Sequence, residues 1–168
     1  MKSYPYTIIW HHYMEEIIYS FFKAFQKKDF NLMNSLYTEN IEFKDPVFGK
    51  LNAKETRAMW RMLCETGKDL IITFDKASVS DNKAVITWHA GYTFPGTKKW
   101  IQNVITSEFE FDGTQIAKQK DRFSLQKWFI MAFGNSALFW SWLPYFRKKF
   151  QNEARKGLAY YMKRKRLS

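Results

Sequence analysis

Two aspartates, Asp45 and Asp121, are the side chains of this sequence best placed for proton chemistry. Asp121 falls in an alternating stretch, Thr114 to Leu125, in which Lys118, Lys120 and Arg122 hold the even positions. Gln119, Asp121 and Phe123 then share the apolar face of a strand. A carboxylate on that face is desolvated and its pKa rises, unless Gln119, Asn103 or Tyr92 supplies a buried hydrogen bond. Asp45 closes the short alternating run Ile41-Glu42-Phe43 and stands before Pro46. An Asp-Pro there is also an ordinary turn-former, whose side chain accepts local backbone N–H bonds. If both acids line one apolar pocket, they can hold a water or an enolisable substrate between them and move a proton. A pocket of two acids and many aromatics can equally bind without reacting.

The candidate pocket walls are Phe21, Phe25, Trp60, Trp88, Tyr92 and Phe109, with Asn103, Ser107 and Gln119 as polar points among them. Aromatics at these spacings also serve as plain core. Other chemistries lack their residues. His11 and His12 are adjacent, about 100° apart on a helix, so they cannot share a metal as an i, i+4 pair would. The one cysteine, Cys64, excludes an intramolecular disulfide and a thiolate cluster. There is no Gly-rich phosphate loop and no Ser or Cys triad motif. No metal and no cofactor is expected.

Helices and strands must bring the two acids together. From Trp10 to Lys27, Tyr13, Ile17, Phe21 and Phe25 recur at the helical period, with Met14, Ile18 and Phe22 beside them. A second short helix is expected over 30–37 after Asp29 as N-cap, and a third from Ala53 to Thr66, ending at Gly67. The period then changes to two. Leu70–Ser78, Lys83–Phe94, Trp100–Phe111 and Thr114–Leu125 read as four strands of a meander, long enough to require a twisted and curved sheet. Trp88, Ala90, Tyr92 and Phe94 should point inward and His89 outward. A three-residue turn, Asp112-Gly113-Thr114, is expected to pair Glu108 with Lys118, keeping both lysines off the apolar face.

At 168 residues one domain is the default. Aromatics make up 19% of the chain, including sixteen Phe and seven Trp, and an aromatic-lined cavity would account for many of them. The single cysteine suits a cytoplasmic setting, and Met1 to Trp10 carries only the short apolar run Ile8-Ile9-Trp10, too little for a secretion signal. The net charge of +11 is concentrated at one end: Tyr145 to Ser168 holds nine Lys/Arg against Glu153 alone. Charge gathered in one segment argues against a nucleic-acid-binding domain. Trp128 to Phe146 is free of charge but interrupted by Gly134-Asn135-Ser136 and Pro144, and Trp128, Trp140 and Trp142 flank that break. Such a segment followed by cations suits an anionic membrane surface, which would make the protein peripheral. The alternative is a helix packed on the domain or on a partner, along the stripe Phe146, Phe150, Ala154, Leu158 and Tyr161.

The stretch Ser20-Phe21-Phe22-Lys23-Ala24-Phe25 through Asp29, then Leu36-Tyr37-Thr38-Glu39-Asn40-Ile41-Glu42-Phe43-Lys44-Asp45-Pro46, resembles the opening of the nuclear transport factor 2-like superfamily. Phe109-Glu110-Phe111-Asp112-Gly113, Ile116 and Lys120-Asp121-Arg122-Phe123 resemble its closing hairpin. The superfamily includes ketosteroid isomerases, SnoaL-like polyketide cyclases and limonene epoxide hydrolases. The resemblance, over roughly residues 12–133, implies an α+β fold: a curved antiparallel sheet and three N-terminal helices forming a cone around an internal pocket. Residues 1–134 would be that domain and 135–168 a basic, aromatic-rich helical extension. It implies a homodimer through the outer sheet face and a small apolar ligand. Asp45 takes the position of the isomerase general base, while Phe21 and Ser107 stand where its oxyanion hole has Tyr and Asp. Asp121 takes the position of an epoxide hydrolase catalytic aspartate, but Val85–Phe94 carries no Arg-x-Asp. The function implied is a pocket protein of isomerase, cyclase or hydrolase type for an apolar, oxygenated substrate, or a non-catalytic dimeric binding module.

Overall fold

Asp29 separates two helices. Lys28 takes a left-handed φ of 58°, and the Asp29 carboxylate accepts the Leu32 N–H at 3.0 Å to start the second. In the computed structural model, which describes residues 5–139 and 142–167, α1 runs Pro5–Gln26 and α2 Phe30–Ser35. α1 therefore begins earlier than its strongest periodicity. A third helix, α3 (Ala53–Thr66), opens on a capping box: Asn52 accepts from the Glu55 N–H and Glu55 accepts from the Asn52 N–H. Gly67 caps its end through the Leu63 carbonyl.

Between the helices lie β1 (Tyr37–Asp45) and β2 (Gly49–Leu51); β3 (Ile71–Phe74), β4 (Ser78–Ser80), β5 (Lys83–Thr93), β6 (Trp100–Asp112) and β7 (Gln115–Arg122) follow. The sheet order is β2-β1-β7-β6-β5-β3, with β4 also on β5. Two expectations change here. The sheet is mixed rather than antiparallel, because β1 lies parallel to β7, placing Phe43 beside Gln119 and Lys44 beside Lys120. The strand expected over 70–78 is two strands: residues 75–77 leave the ladder, and Ala77 turns in to bury itself on α1, its N–H donating to the Tyr19 hydroxyl.

The last hairpin corrects the expected register. Asp112 pairs with Gln115 across a two-residue turn, and Glu108 faces Lys120, not Lys118, which lies opposite Glu110. Ala117 is the extra residue of a bulge, and this one insertion restores the parity that a plain two-residue turn would have broken. The face assignment stands: Ser107, Gln119 and Asp121 are buried, while Lys118 and Arg122 reach Glu110 and Glu108 at the surface.

The main core fills the space between α1, α3 and the concave sheet face. A second cluster forms where α4 (Leu125–Phe133), N-capped by Ser124, folds back on β6 through Leu125, Trp128, Phe129 and Ala132. After a short 3₁₀ turn (Asn135–Phe139), α5 (Pro144–Arg164) returns along α3. Leu158 and Tyr161 are buried there, and Glu65 gathers Arg61, Lys165 and the Tyr161 hydroxyl. Lys165 first, then Arg61, hold the Glu65 pKa down at about 2. The extension thus packs on the domain. Trp140, one of the aromatics that suggested a membrane role, lies outside the described residues, and no helix among those described is long and apolar enough to cross a membrane.

Candidate functional site

The turn between β1 and β2 builds half of the site. Asp45 Oδ1 accepts the N–H of Val47 at 3.0 Å and of Phe48 at 2.6 Å, and Gly49 closes the turn at a φ of 71° that a side chain would oppose. The turn-former reading of Asp45 is therefore satisfied by its backbone bonds, yet the same carboxyl also lines a cavity of about 400 Å³. Burial drives its pKa up to about 7, against the lowering pull of the Phe48 amide, and the negative charge of Asp121 adds to the rise.

Asp121, on β7, looks into the same cavity from the sheet. Its Oδ1 accepts from Ser107 Oγ at 2.6 Å and from Gln119 Nε2 at 2.9 Å. Behind these stand two further donors: Trp88 Nε1 to Ser107 Oγ at 2.8 Å, and the Tyr37 hydroxyl to Gln119 Oε1. Burial raises Asp121 to about 6 even so, because the bonds from Ser107 and Gln119 only partly offset desolvation. Tyr92, one alternative partner, instead accepts from Trp128 Nε1 at 2.7 Å.

Of the side chains singled out in the sequence, Asp45, Asp121, Phe25, Trp60, Trp88, Tyr92 and Asn103 are brought together around the cavity. Phe21, Ser107, Phe109 and Gln119 are not part of its wall. Phe21 and Phe109 are closed inside the core, Phe21 edge-on to Trp60 at 5.4 Å and to Tyr37 at 5.5 Å. Ser107 and Gln119 serve the site from behind, as the donors that hold Asp121. Sequence reading missed Phe43 and Phe48 on the inner wall, and Phe123, Trp128, Phe150 and Ala154, which cover it from the C-terminal side. Phe123 had a signal in the strand face it shares with Asp121, and Phe150 and Ala154 in the apolar stripe of α5. Its helix is tied to the Asp45 turn by Gln151, which donates to the Pro46 carbonyl, and by Arg155, which donates to the Phe48 and Lys50 carbonyls and pairs with Glu55.

No Lys, Arg or His lines the cavity, and among the described residues no group of His, Cys, Asp or Glu could hold a metal ion. A third carboxyl, Asp69, reaches the lining from an exposed position where hydrogen bonding by Thr93 lowers its pKa, so the arrangement offers two carboxyl groups raised toward neutrality, Asp45 and Asp121, inside an aromatic wall. This has a consequence for stability. Both acids hold their protons more tightly in the fold than in the unfolded chain, so the fold binds more protons between about pH 4 and 7 and loses stability as pH rises through that window. The stability of Asp121→Asn relative to the native chain should rise by about 2 kcal/mol between about pH 4.5 and about pH 7.5. Urea unfolding at both values is the check, and a gap that does not widen with pH contradicts the buried, weakened acid.

The SnoaL-like domain family matches residues 18–119. No curated protein matches the sequence. Among solved structures, a protein of ketosteroid isomerase-like fold from Catenulispora acidiphila DSM 44928, crystallised in complex with trimethylamine, is 17% identical. It superposes with a TM-score of 0.63 over 77% of this chain and 98% of its own. An epoxide hydrolase of the LEH-like type from M. tuberculosis is 14% identical, with a TM-score of 0.63 over 77% of this chain and 96% of that one. A SnoaL-like protein of unknown function from Burkholderia thailandensis E264 is 16% identical, with a TM-score of 0.57 over 67% and 96%. At these identities the structures speak to fold alone. With more than half its length matched by the family and its helices and curved mixed sheet shared with these structures, the chain belongs to the SnoaL-like family of the nuclear transport factor 2-like fold.

Proposed function

We propose that the protein binds a small, largely apolar, oxygenated molecule in the cavity and uses Asp45, with Asp121 beside it, for acid–base chemistry of the isomerase, cyclase or hydrolase type. The observation that carries this is the meeting of two desolvated carboxyl groups, raised to about 7 and about 6, in one aromatic hollow. A cavity with acidic groups and no cation in its lining disfavours an anionic ligand and suits a neutral one. Trp60, Trp88, Phe25 and Trp128 supply the apolar contact, and Asn103 a neutral hydrogen-bonding point. The outer sheet face, where Ile71, Val85 and Val104 are exposed, is the surface we assign to a second copy of the chain.

The reading is tested with a panel of neutral bicyclic and open-chain ketones, followed by ligand-observed NMR. Ala154 lines the cavity from α5, so Ala154→Trp would fill part of it from a helix that stays anchored by Arg155 and Leu158. Affinity for the best ketone should fall at least tenfold, about the effect of excluding one or two methylene-sized contacts. A panel that does not bind, or binds equally to the filled cavity, removes the pocket from the function.

A further inference from the structure

The uncharged run from Trp128 to Phe146 is divided by the fold, and the break between α4 and α5 puts large side chains in water. Phe139 is 81% exposed, Tyr145 69%, Trp142 63% and Leu138 46%, four within eight residues. Trp142 Nε1 donates to the Phe139 carbonyl at 3.1 Å, so its polar handle is satisfied locally while the ring stays outside. Soluble proteins scatter single apolar residues over their surfaces, whereas four large exposed ones within eight residues of chain mark an interaction site.

Cations follow it along α5. Lys148 and Lys149 follow Tyr145 by three and four residues, on the same face of α5, and Arg147 is exposed beside them. None of the three forms an ion pair within 4 Å among the described residues, and Lys149 acts on Glu153 only through its charge, adding to the lowering of that carboxyl's pKa after Lys156. Further along, Arg155 is committed to Glu55, Lys156 to Glu153 and Lys165 to Glu65.

We propose that this end of the molecule docks on an anionic lipid surface. Phe139, Trp142 and Tyr145 enter the interfacial layer while Arg147, Lys148 and Lys149 meet the headgroups. A second copy is a poorer occupant, because a chain of net charge +11 would bring two basic ends together. None of these six side chains lines the cavity, so the proposal stands apart from the chemistry there.

The full chain is to be sedimented with vesicles of phosphatidylcholine alone and with vesicles containing about 30% phosphatidylglycerol. Binding should be at least tenfold tighter to the anionic vesicles and should weaken as salt is raised. Arg147→Gln/Lys148→Gln/Lys149→Gln should lower it on the order of a hundredfold, and Phe139→Ala/Trp142→Ala/Tyr145→Ala at least tenfold. All six substitutions fall on surface positions, and circular dichroism of each variant should match the native chain. The proposal is overturned by absence of binding to either vesicle, by equal binding to both, or by aromatic-to-Ala variants that bind like the native chain. Self-association that the aromatic substitutions abolish would give the ridge to a second copy and overturn it as well.

Discussion

Asp45→Asn is expected to slow deuterium exchange at the carbon beside the carbonyl of a bound ketone by about a hundred- to ten-thousandfold, the usual effect of losing a positioned general base. Asn keeps the shape and can still accept the Val47 and Phe48 N–H bonds that hold the turn, so the loss reports the proton acceptor and not the scaffold. The pH dependence carries more information than the rate. With Asp45 at about 7, exchange in the native protein should rise with pH, pass its midpoint near neutrality and level off above it. Asp121 is one of the causes of that high value, through its negative charge. Asp121→Asn should therefore move the midpoint to lower pH while leaving Asp45 in place as base. Exchange that is indifferent to Asp45→Asn, or a midpoint that Asp121→Asn leaves where it was, would detach the chemistry from this pair.

The inward face of Asp121 was legible in the sequence because burial of a strand residue is a matter of parity. Alternation between Lys118, Lys120 and Arg122 on one side and Gln119 and Asp121 on the other assigned the face, and the fold agrees. Register was not legible to the same degree. The Ala117 bulge leaves no mark in the residue pattern, so a three-residue turn and a two-residue turn with a bulge predict the same faces with different partners. Nor does a parallel pair between β1 and β7 have a local signal, since residues 46–114 lie between the two strands. Phe21 and Phe25 show the limit for the site itself. They lie one turn apart on the same stripe of α1 and both meet Trp60 edge-on, yet Phe25 lines the cavity while Phe21 is enclosed by Phe22, Tyr37 and Phe109. Ser107 and Gln119 were rightly placed on the inner face, but their use as donors to Asp121 depends on neighbouring strands.

Trp60→Ala should cost about 3–5 kcal/mol in chemical unfolding, the range for removing a large buried aromatic side chain. The Trp60 ring is 2% exposed and meets Phe25 at 5.1 Å, Phe21 at 5.4 Å and Phe43 at 5.8 Å, all edge-on, so it joins α1, α3 and β1. One face of this knot is also cavity wall, so the hole left by truncation opens into existing space and does not become a sealed void. That places the cost toward the lower half of the range. The buried indole N–H, moreover, has the Tyr37 hydroxyl beside it but no hydrogen bond of full geometry, a defect that costs at most about 1–3 kcal/mol. Trp60→Phe discards both the defect and part of the ring, and should stay within about 2 kcal/mol of the native chain. Function should change in the opposite sense to stability: the enlarged hollow of Trp60→Ala should accept bulkier ketones than the native cavity does. A Trp60→Ala protein as stable as the native one would mean that the aromatic knot does not hold the helices to the sheet, and the rigid hollow that weakens the two acids would lose its physical basis.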